Sequence, residues 1–184
     1  VVQQERDLEF LLRSGRVDML VATYDIPRYE KITRKVLPPY FEDTLAIVTP
    51  ADRTFAFRDW HDLMGKNGIT PQNNQLGREF QEFAREYLAI DAEGNLRMAL
   101  RKLELNQYDY AVGSAQMLKD GLRRFDNQKL HFLPSLISTE DVYFGFSEAS
   151  PCKAYTAYFR NRIEQLARER VVFALLQHHI SDAD

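Results

Sequence analysis

Cysteine is nearly absent. The 184 residues include one, Cys152, which cannot close an internal disulfide and has no second thiol with which to build a Cys-based metal site. Long apolar runs are missing too: the longest, such as Val171 to Leu176, fall far short of the roughly 20 residues that cross a bilayer as a helix, and Val1-Val2-Gln3-Gln4 does not read as a signal peptide. Nor does one charge dominate. The 24 Lys and Arg stand against 27 Asp and Glu, a net charge of −3 spread without acidic or basic blocks, which argues against a nucleic acid or an anionic membrane as the main partner. What is present is ordinary for a folded chain: 45% hydrophobic and 28% charged residues exclude intrinsic disorder and suffice for one large core or two modest ones. Aromatic residues reach 12%, enough to fill a core and line a pocket as well.

Leu8, Leu11 and Leu12 recur at helical spacing from Glu5, and the run stops at Gly15, a residue suited to the left-handed conformation that closes a helix. Val17 to Thr23 reads as a short buried strand, followed by a loop at Tyr24-Asp25-Ile26-Pro27-Arg28. A second strand is expected over Thr44 to Thr49, after Pro38-Pro39. Helical patterns follow near Gly77 to Leu88, Leu96 to Leu105 and Ala115 to Arg124, with strands near Asn67 to Thr70, Tyr108 to Gly113 and Lys129 to Phe132. Asp141 to Phe146 reads as a further strand, Ser150-Pro151 as the cap and first turn of a long helix reaching about Glu169, and Val171 to about His179 as a last short helix. The alternation predicts an α/β fold.

One internal similarity says more. Leu12 to Thr23 aligns without gaps on Leu103 to Ser114: a helix ends on Gly15 or Asn106, an Asp follows three positions later (Asp18, Asp109), and a buried strand finishes in a small hydroxyl residue. Two copies of this unit suggest two similar α/β lobes. Ligands of open parallel sheets bind beyond the carboxyl ends of the strands, so Thr23 and Ser114 would mark corresponding corners of a cleft. Asp18 and Asp109, at the strand starts, are expected to cap turns.

These residues resemble a family. The pattern Leu12-x-x-Gly15-x-Val17-Asp18, then Pro39-Tyr40-Phe41 leading into Leu45-Ala46-Ile47-Val48, then Asp62-Leu63-x-Gly65-Lys66-x-Gly68-Ile69, resembles the bacterial extracellular solute-binding proteins of family 3, the capture components of polar amino-acid ABC importers. Leu103-x-x-Asn106-x-Tyr108-Asp109-Tyr110-Ala111-Val112 and Phe144-Gly145-Phe146-Ser147-x-x-Ser150-Pro151 extend the similarity over nearly the whole chain. It implies a two-lobed periplasmic-binding-protein fold of type 2, with residues 1–47 and 138–184 forming a discontinuous lobe 1 and 48–137 forming lobe 2. The lobes would be joined by crossings near Ala46 to Thr49 and Leu136 to Tyr143, and would close on a ligand. Family members carry further strands and a helix before the Leu-x-x-Gly-x-Val-Asp segment, so the resemblance also implies that part of lobe 1 is not in this chain. It further implies a non-catalytic protein without cofactor, periplasmic or extracellular and monomeric, whose partners are a small polar ligand such as an amino acid and a membrane permease.

A zwitterionic amino acid needs a cation for its carboxylate, donors from strand ends and helix N-termini, and an anion for its ammonium group. By resemblance, Arg28 is the carboxylate-binding arginine, with Arg34 an alternative and a solvated surface role the plain reading of either. Thr23 and Asp25 stand where the family places further contacts, although Asp25 also suits a turn cap. Asn74 and Gln75 precede a helix in the position of the family's amide-rich turn, where a simple helix cap is an equal reading. Ser114 departs from the family, which commonly has an Asp there to meet the α-ammonium group. Asp25, Asp141 or Glu140 would compensate, or the ligand is not a standard α-amino acid.

Enzyme readings fare worse. His61, His131, His178 and His179 lack metal-ligand spacing or an evident partner, Gly65-Lys66 lacks the upstream glycine of a phosphate loop, and Ser147 lacks a nucleophile elbow. Cys152 is expected to be a partly buried structural thiol. The leading expectation is a solute receptor for an importer. The alternatives are the extracellular sensor domain of a membrane signalling protein and the effector domain of a transcription regulator.

Overall fold

The structure is a computed structural model, and it describes residues 5–24, 27–72, 74, 76–125, 129–135, 137–172 and 174–175. The chain forms two compact units: Asp43–Glu140 is one, and Val1–Glu42 together with Asp141–Asp184 is the other. They are called unit 2 and unit 1 below.

The part of strand β2 (Thr33–Pro50) from Asp43 onward, with β3 (Asn67–Pro71), β4 (Ala89–Glu93), β5 (Tyr110–Ser114) and β6 (Leu130–Phe132), supplies the sheet of unit 2, in the order β2-β5-β3-β4 with β6 also on β2. The β5, β3 and β4 strands are mutually parallel, and β2 runs antiparallel to β5 with Leu45 opposite Ser114 and Val48 opposite Ala111. In β5, Tyr110, Ala111, Val112 and Gly113 are all buried, as expected of a strand covered on both faces. Alternation then sorts the side chains into two cores. Leu45, Ile47, Tyr110 and Val112 join Phe80 and Ala84 of α3 (Arg78–Tyr87), whereas Val48, Ile69 and Ala111 join Ala99, Leu100 and Leu103 of α4 (Leu96–Glu104) and Leu118 of α5 (Ala115–Arg124). Each buried Leu or Phe adds roughly 1.5–3 kcal/mol of transfer free energy, so these layers carry the unit.

Unit 1 begins with α1 (Glu5–Arg13), β1 (Met19–Thr23) and the short α2 (Pro27–Glu30). Leu12 of α1 packs with Tyr29 and Ile32. Strand β1 pairs antiparallel with β7 (Ser138–Ser147), setting Met19 opposite Phe146 and Thr23 opposite Tyr143. A second cluster gathers Val36, Phe146 and Ile163, the last from α6 (Thr156–Arg168), with Phe159 and the partly buried Cys152 at its border. Leu12 and Phe159 thus both belong to unit 1. The two matched helix ends behave alike: Gly15 has φ 66° and Asn106 φ 57°.

Several sequence expectations change. Strand β2 starts at Thr33 and runs through Pro38-Pro39 rather than after them; a proline is tolerated where its missing N–H is not needed by a neighbouring strand. Strand β4 escaped notice because Ala89-Ile90-Asp91-Ala92-Glu93 has low strand propensity, and its parallel pairing to β3 decides it. Ser150-Pro151 opens a 3₁₀ turn over Pro151–Tyr155, and the α-helix starts only at Thr156. Asp18 and Asp109 are cross-links rather than turn caps: Asp18 accepts from Ser150 Oγ at 2.6 Å, and Asp109 accepts from the Asn67 N–H and from Arg53, both at 2.8 Å. Of the last predicted helix, Val171, Val172, Ala174 and Leu175 are helical, and the remainder, with His178 and His179, lies outside the described residues.

Gly68 of β3 tests the packing directly. A Cβ there would overlap the ring of Tyr110, itself fully buried. Gly68→Ala is expected to destabilise the chain by about 1–3 kcal/mol through overpacking, read as a lower midpoint in urea unfolding. Gly94→Ala, whose Cβ would meet only the Met98 sulfur at 4.0 Å, is the control and should stay within about 0.5 kcal/mol of wild type.

Candidate functional site

Parallel strands in unit 2 point their carboxyl ends the same way, and the residues just beyond them share one edge. After β3 come Asn74 and Gly77, and β5 closes on Ser114. Asn74 Nδ2 donates to Thr70 Oγ1 at 3.1 Å, and a Cβ on Gly113 would lie 3.1 Å from that same nitrogen. Gly113 thus lets Asn74 lie close against the end of β5, next to Ser114. The structure therefore brings together two of the residues singled out from the sequence, Asn74 and Ser114. Gln75 lies outside the described residues.

Ser114 is the N-cap of α5, its Oγ accepting from the Met117 N–H at 3.4 Å and donating to Asp43 Oδ1 at 2.8 Å. Asp43 is 6% exposed. Sequence reasoning missed it: 71 positions separate the pair, and only the β2–β5 register, with Leu45 opposite Ser114, brings them together. Of the acids considered earlier, Asp141 accepts from Tyr143 Oη at 3.1 Å and Asp25 lies outside the described residues. Glu140 comes to α3 instead. Gly77, the N-cap of α3, adopts φ 73°, which favours glycine, and the Glu140 carboxylate lies against it, with Glu140 Oε1 accepting from Ser138 Oγ at 3.1 Å.

In unit 1, Thr23 ends β1 with 2% exposure, and its hydroxyl donates to the Tyr24 carbonyl at 3.1 Å. Arg28 lies in α2, and its side chain is outside what the structure describes. Arg34, the alternative carboxylate ligand, forms a two-pronged pair with Glu148 at 2.9 and 3.2 Å. An apolar groove of about 550 Å³, lined by Tyr40, Phe144, Ile163 and Leu166 among others, contains none of the six candidate residues. The ring of Tyr40 stacks on Phe144 at 4.4 Å, and burial raises its hydroxyl pKa. His61 does have a partner: its Nδ1 lies 2.9 Å from Asp59 Oδ1, and its ring meets Phe83 edge-on. Among the described residues no group of three or more His, Cys, Asp or Glu is placed to hold a metal ion, and no helix is long and apolar enough to cross a membrane.

No family model and no curated protein matches the chain by sequence. Solved structures do match. The ligand-binding core of GluR0, in complex with L-glutamate, superposes with a TM-score of 0.79 at 20% identity, over 96% of this chain and 78% of that one. An arginine-binding protein from T. maritima gives 0.78 at 16% identity, over 98% and 76%. A histidine kinase sensor domain with similarity to periplasmic binding proteins gives 0.76 at 18% identity, over 95% and 74%. The chain has the two-lobed α/β fold of periplasmic binding proteins.

Glu148 supplies a pH test of unit 1. Its hydrogen bonds from Arg34 hold its carboxyl below the ordinary 4.5, against a smaller opposing effect of burial. A depressed folded-state pKa stabilises above the unfolded value and ceases to do so as pH falls through the folded one. The melting-temperature gap between wild type and Glu148→Gln should therefore be constant from about pH 6 to 8 and shrink below about pH 4.5. Because both side chains are exposed by a third or more, salt should narrow the gap as well.

Proposed function

We propose that the chain is an extracytoplasmic receptor for a small polar solute, serving an ABC importer. The observation that carries this reading is the convergence of Asn74 and Ser114 at the carboxyl ends of β3 and β5, with Asp43 hydrogen-bonded to the Ser114 hydroxyl. Strand ends of an open α/β sheet are where such folds take ligands. A neutral amide, a hydroxyl and a carboxylate there recognise polar groups without doing chemistry on them. In this reading Arg28 receives the solute carboxylate, with Thr23, Asp25 and Gln75 as further contacts. Arg34, occupied by Glu148, is the weaker candidate. The fold likeness supports the reading, since the solved proteins include the substrate-binding protein of an amino acid ABC transporter, matched with a TM-score of 0.66 at 15% identity.

A sensor domain of a membrane signalling protein is the second reading, favoured by the likeness to the histidine kinase sensor domain. Fractionation of cells expressing the native gene separates the two: recovery in the soluble extracytoplasmic fraction supports the importer reading, and recovery joined to a membrane-spanning kinase overturns it.

Titration calorimetry with amino acids, amines and dicarboxylates tests solute capture itself. If Arg28 anchors a carboxylate, Arg28→Ala should weaken binding of the best carboxylate-bearing ligand by about 1.5–3 kcal/mol with little change in melting temperature. Undiminished affinity would remove Arg28 from the site.

A further inference from the structure

Along β2 the side chains of Val36, Tyr40 and Glu42 share one face, because every second residue of a strand points the same way. Val36 is fully buried and packs with Ile163 of α6, Tyr40 is partly buried, and Glu42 is exposed. Helix α6 therefore covers this face at one end and leaves it open at the other, where the groove of about 550 Å³ lies. Its walls are apolar: the stacked rings of Tyr40 and Phe144 on the strand side, and Ile163, Leu166 and Ala167 on the helix side. Small-molecule sites are mostly apolar cavities of roughly 300–1,000 Å³ with a few polar groups placed to fix orientation.

Two charged residues stand in this lining. Arg170 is partnered within the chain, whereas Glu42 makes no hydrogen bond or ion pair with any described residue. Leu166 and Ala167 belong to the last turn of α6, whose closing carbonyls carry partial negative charge and favour a cation. Arg168 of the same turn folds back on the Glu164 carbonyl at 3.2 Å. An uncharged apolar molecule in the groove leaves Glu42 unanswered, and an anion meets it as a like charge. A protonated amine answers it, while an apolar body takes the groove walls out of water.

We propose that this groove is a second binding site, for a small protonated amine with an apolar body: the body lies on Tyr40, Phe144 and the α6 side chains, and the ammonium group meets Glu42. The site lies wholly within unit 1 and does not depend on the solute-receptor reading. Glu42 leads into unit 2 at Asp43, and Phe144 follows the return at Asp141, so the bound amine touches both passages of the chain.

NMR titration of the full chain with phenethylamine, phenethyl alcohol and hydrocinnamate tests this. The signals followed are the methyl groups of Ile163, Leu166 and Ala167, so binding at the carboxyl edge of unit 2 does not register. Wild type should bind the amine about threefold or more tighter than the alcohol, the upper range for an exposed ion pair, and hydrocinnamate more weakly still. Glu42→Gln should erase the difference between amine and alcohol. Ala167→Trp, a change at an exposed position, should fill the groove and abolish binding of both. Alcohol or hydrocinnamate binding as tightly as the amine, groove methyls that the amine does not move, binding that persists in Ala167→Trp, or an amine preference that survives in Glu42→Gln overturns the proposal. Should either variant fail to fold, the wild-type ranking of the three compounds decides. Groove methyls that shift with protein concentration alone give the groove to a second copy, and amine binding that tightens on removal of residues 176–184 gives it to that segment; either result overturns the proposal and leaves solute capture standing.

Discussion

The antiparallel register of β2 on β5, with Leu45 opposite Ser114, Ala46 opposite Gly113, Ile47 opposite Val112 and Val48 opposite Ala111, is the constraint from which most of unit 2 follows. Side chains on a strand alternate between faces, so a slip by one residue would exchange every member of the two cores. Ile47 and Val112 would leave the α3 layer, and Val48 and Ala111 the layer of α4 and α5. All eight paired residues except Ser114 are buried, which makes the slipped states costly. The same register carries Asp43 to within hydrogen-bonding distance of Ser114. Core packing and the polar corner are fixed by one pairing, and the corner needs no separate device to hold it.

The two units are stabilised differently. Unit 2 sandwiches a sheet between helices, with Phe80, Leu100, Leu103 and Leu118 at no more than 1% exposure. Unit 1 relies on two smaller clusters, one around Leu12, Tyr29 and Ile32 and the other around Val36, Phe146 and Ile163. It adds polar ties that join distant parts of the chain: Ser147 Oγ donates to the Leu12 carbonyl at 2.7 Å in the interior, and Ser150 Oγ to Asp18 at 2.6 Å. Hydrogen bonds of this kind are directional where apolar contact is not, so they fix how the α1 end meets the segment after β7. By contrast, the Arg34–Glu148 pair on its surface is half exposed and contributes little.

Local chemistry made much of this legible in the sequence. Gly15 and Asn106 announced themselves as helix-ending residues because few others accept positive φ, and both adopt it. The strand at Tyr110 was visible as an apolar run, and the helices of unit 2 as 3.6-residue patterns. What stayed hidden was non-local. Ala89–Glu93 becomes a strand only because β3 offers it a parallel partner. The start of β2 at Thr33 ignores two prolines that ordinarily argue against a strand. Asp43 looked like one more acidic residue before a strand, since nothing within a dozen residues of it reveals that Ser114 will be its neighbour. Asp18 and Asp109 illustrate the same limit: their matched positions were readable, but their partners Ser150 and Arg53 lie far away along the chain.

The fold itself does not select the charge of a ligand. Solved proteins matching this chain at 15–20% identity include one in complex with L-glutamate and an ancestral arginine-binding protein solved with arginine, so one architecture accommodates side chains of opposite sign. Selection must come from the residues that the strands and helices present. The carboxyl edge of unit 2 presents Asn74 and Ser114, which are neutral, and Asp43 and Glu140, which are acidic. Asp43 is the first residue of that unit and Glu140 the last, so the chain enters and leaves unit 2 beside a carboxylate. The acidic charge at that edge therefore comes from where the chain enters and leaves unit 2 rather than from the end of β5. A hydroxyl at Ser114 both caps α5, accepting from the Met117 N–H, and donates to the Asp43 carboxylate, two bonds that a carboxylate at this position could not make at once.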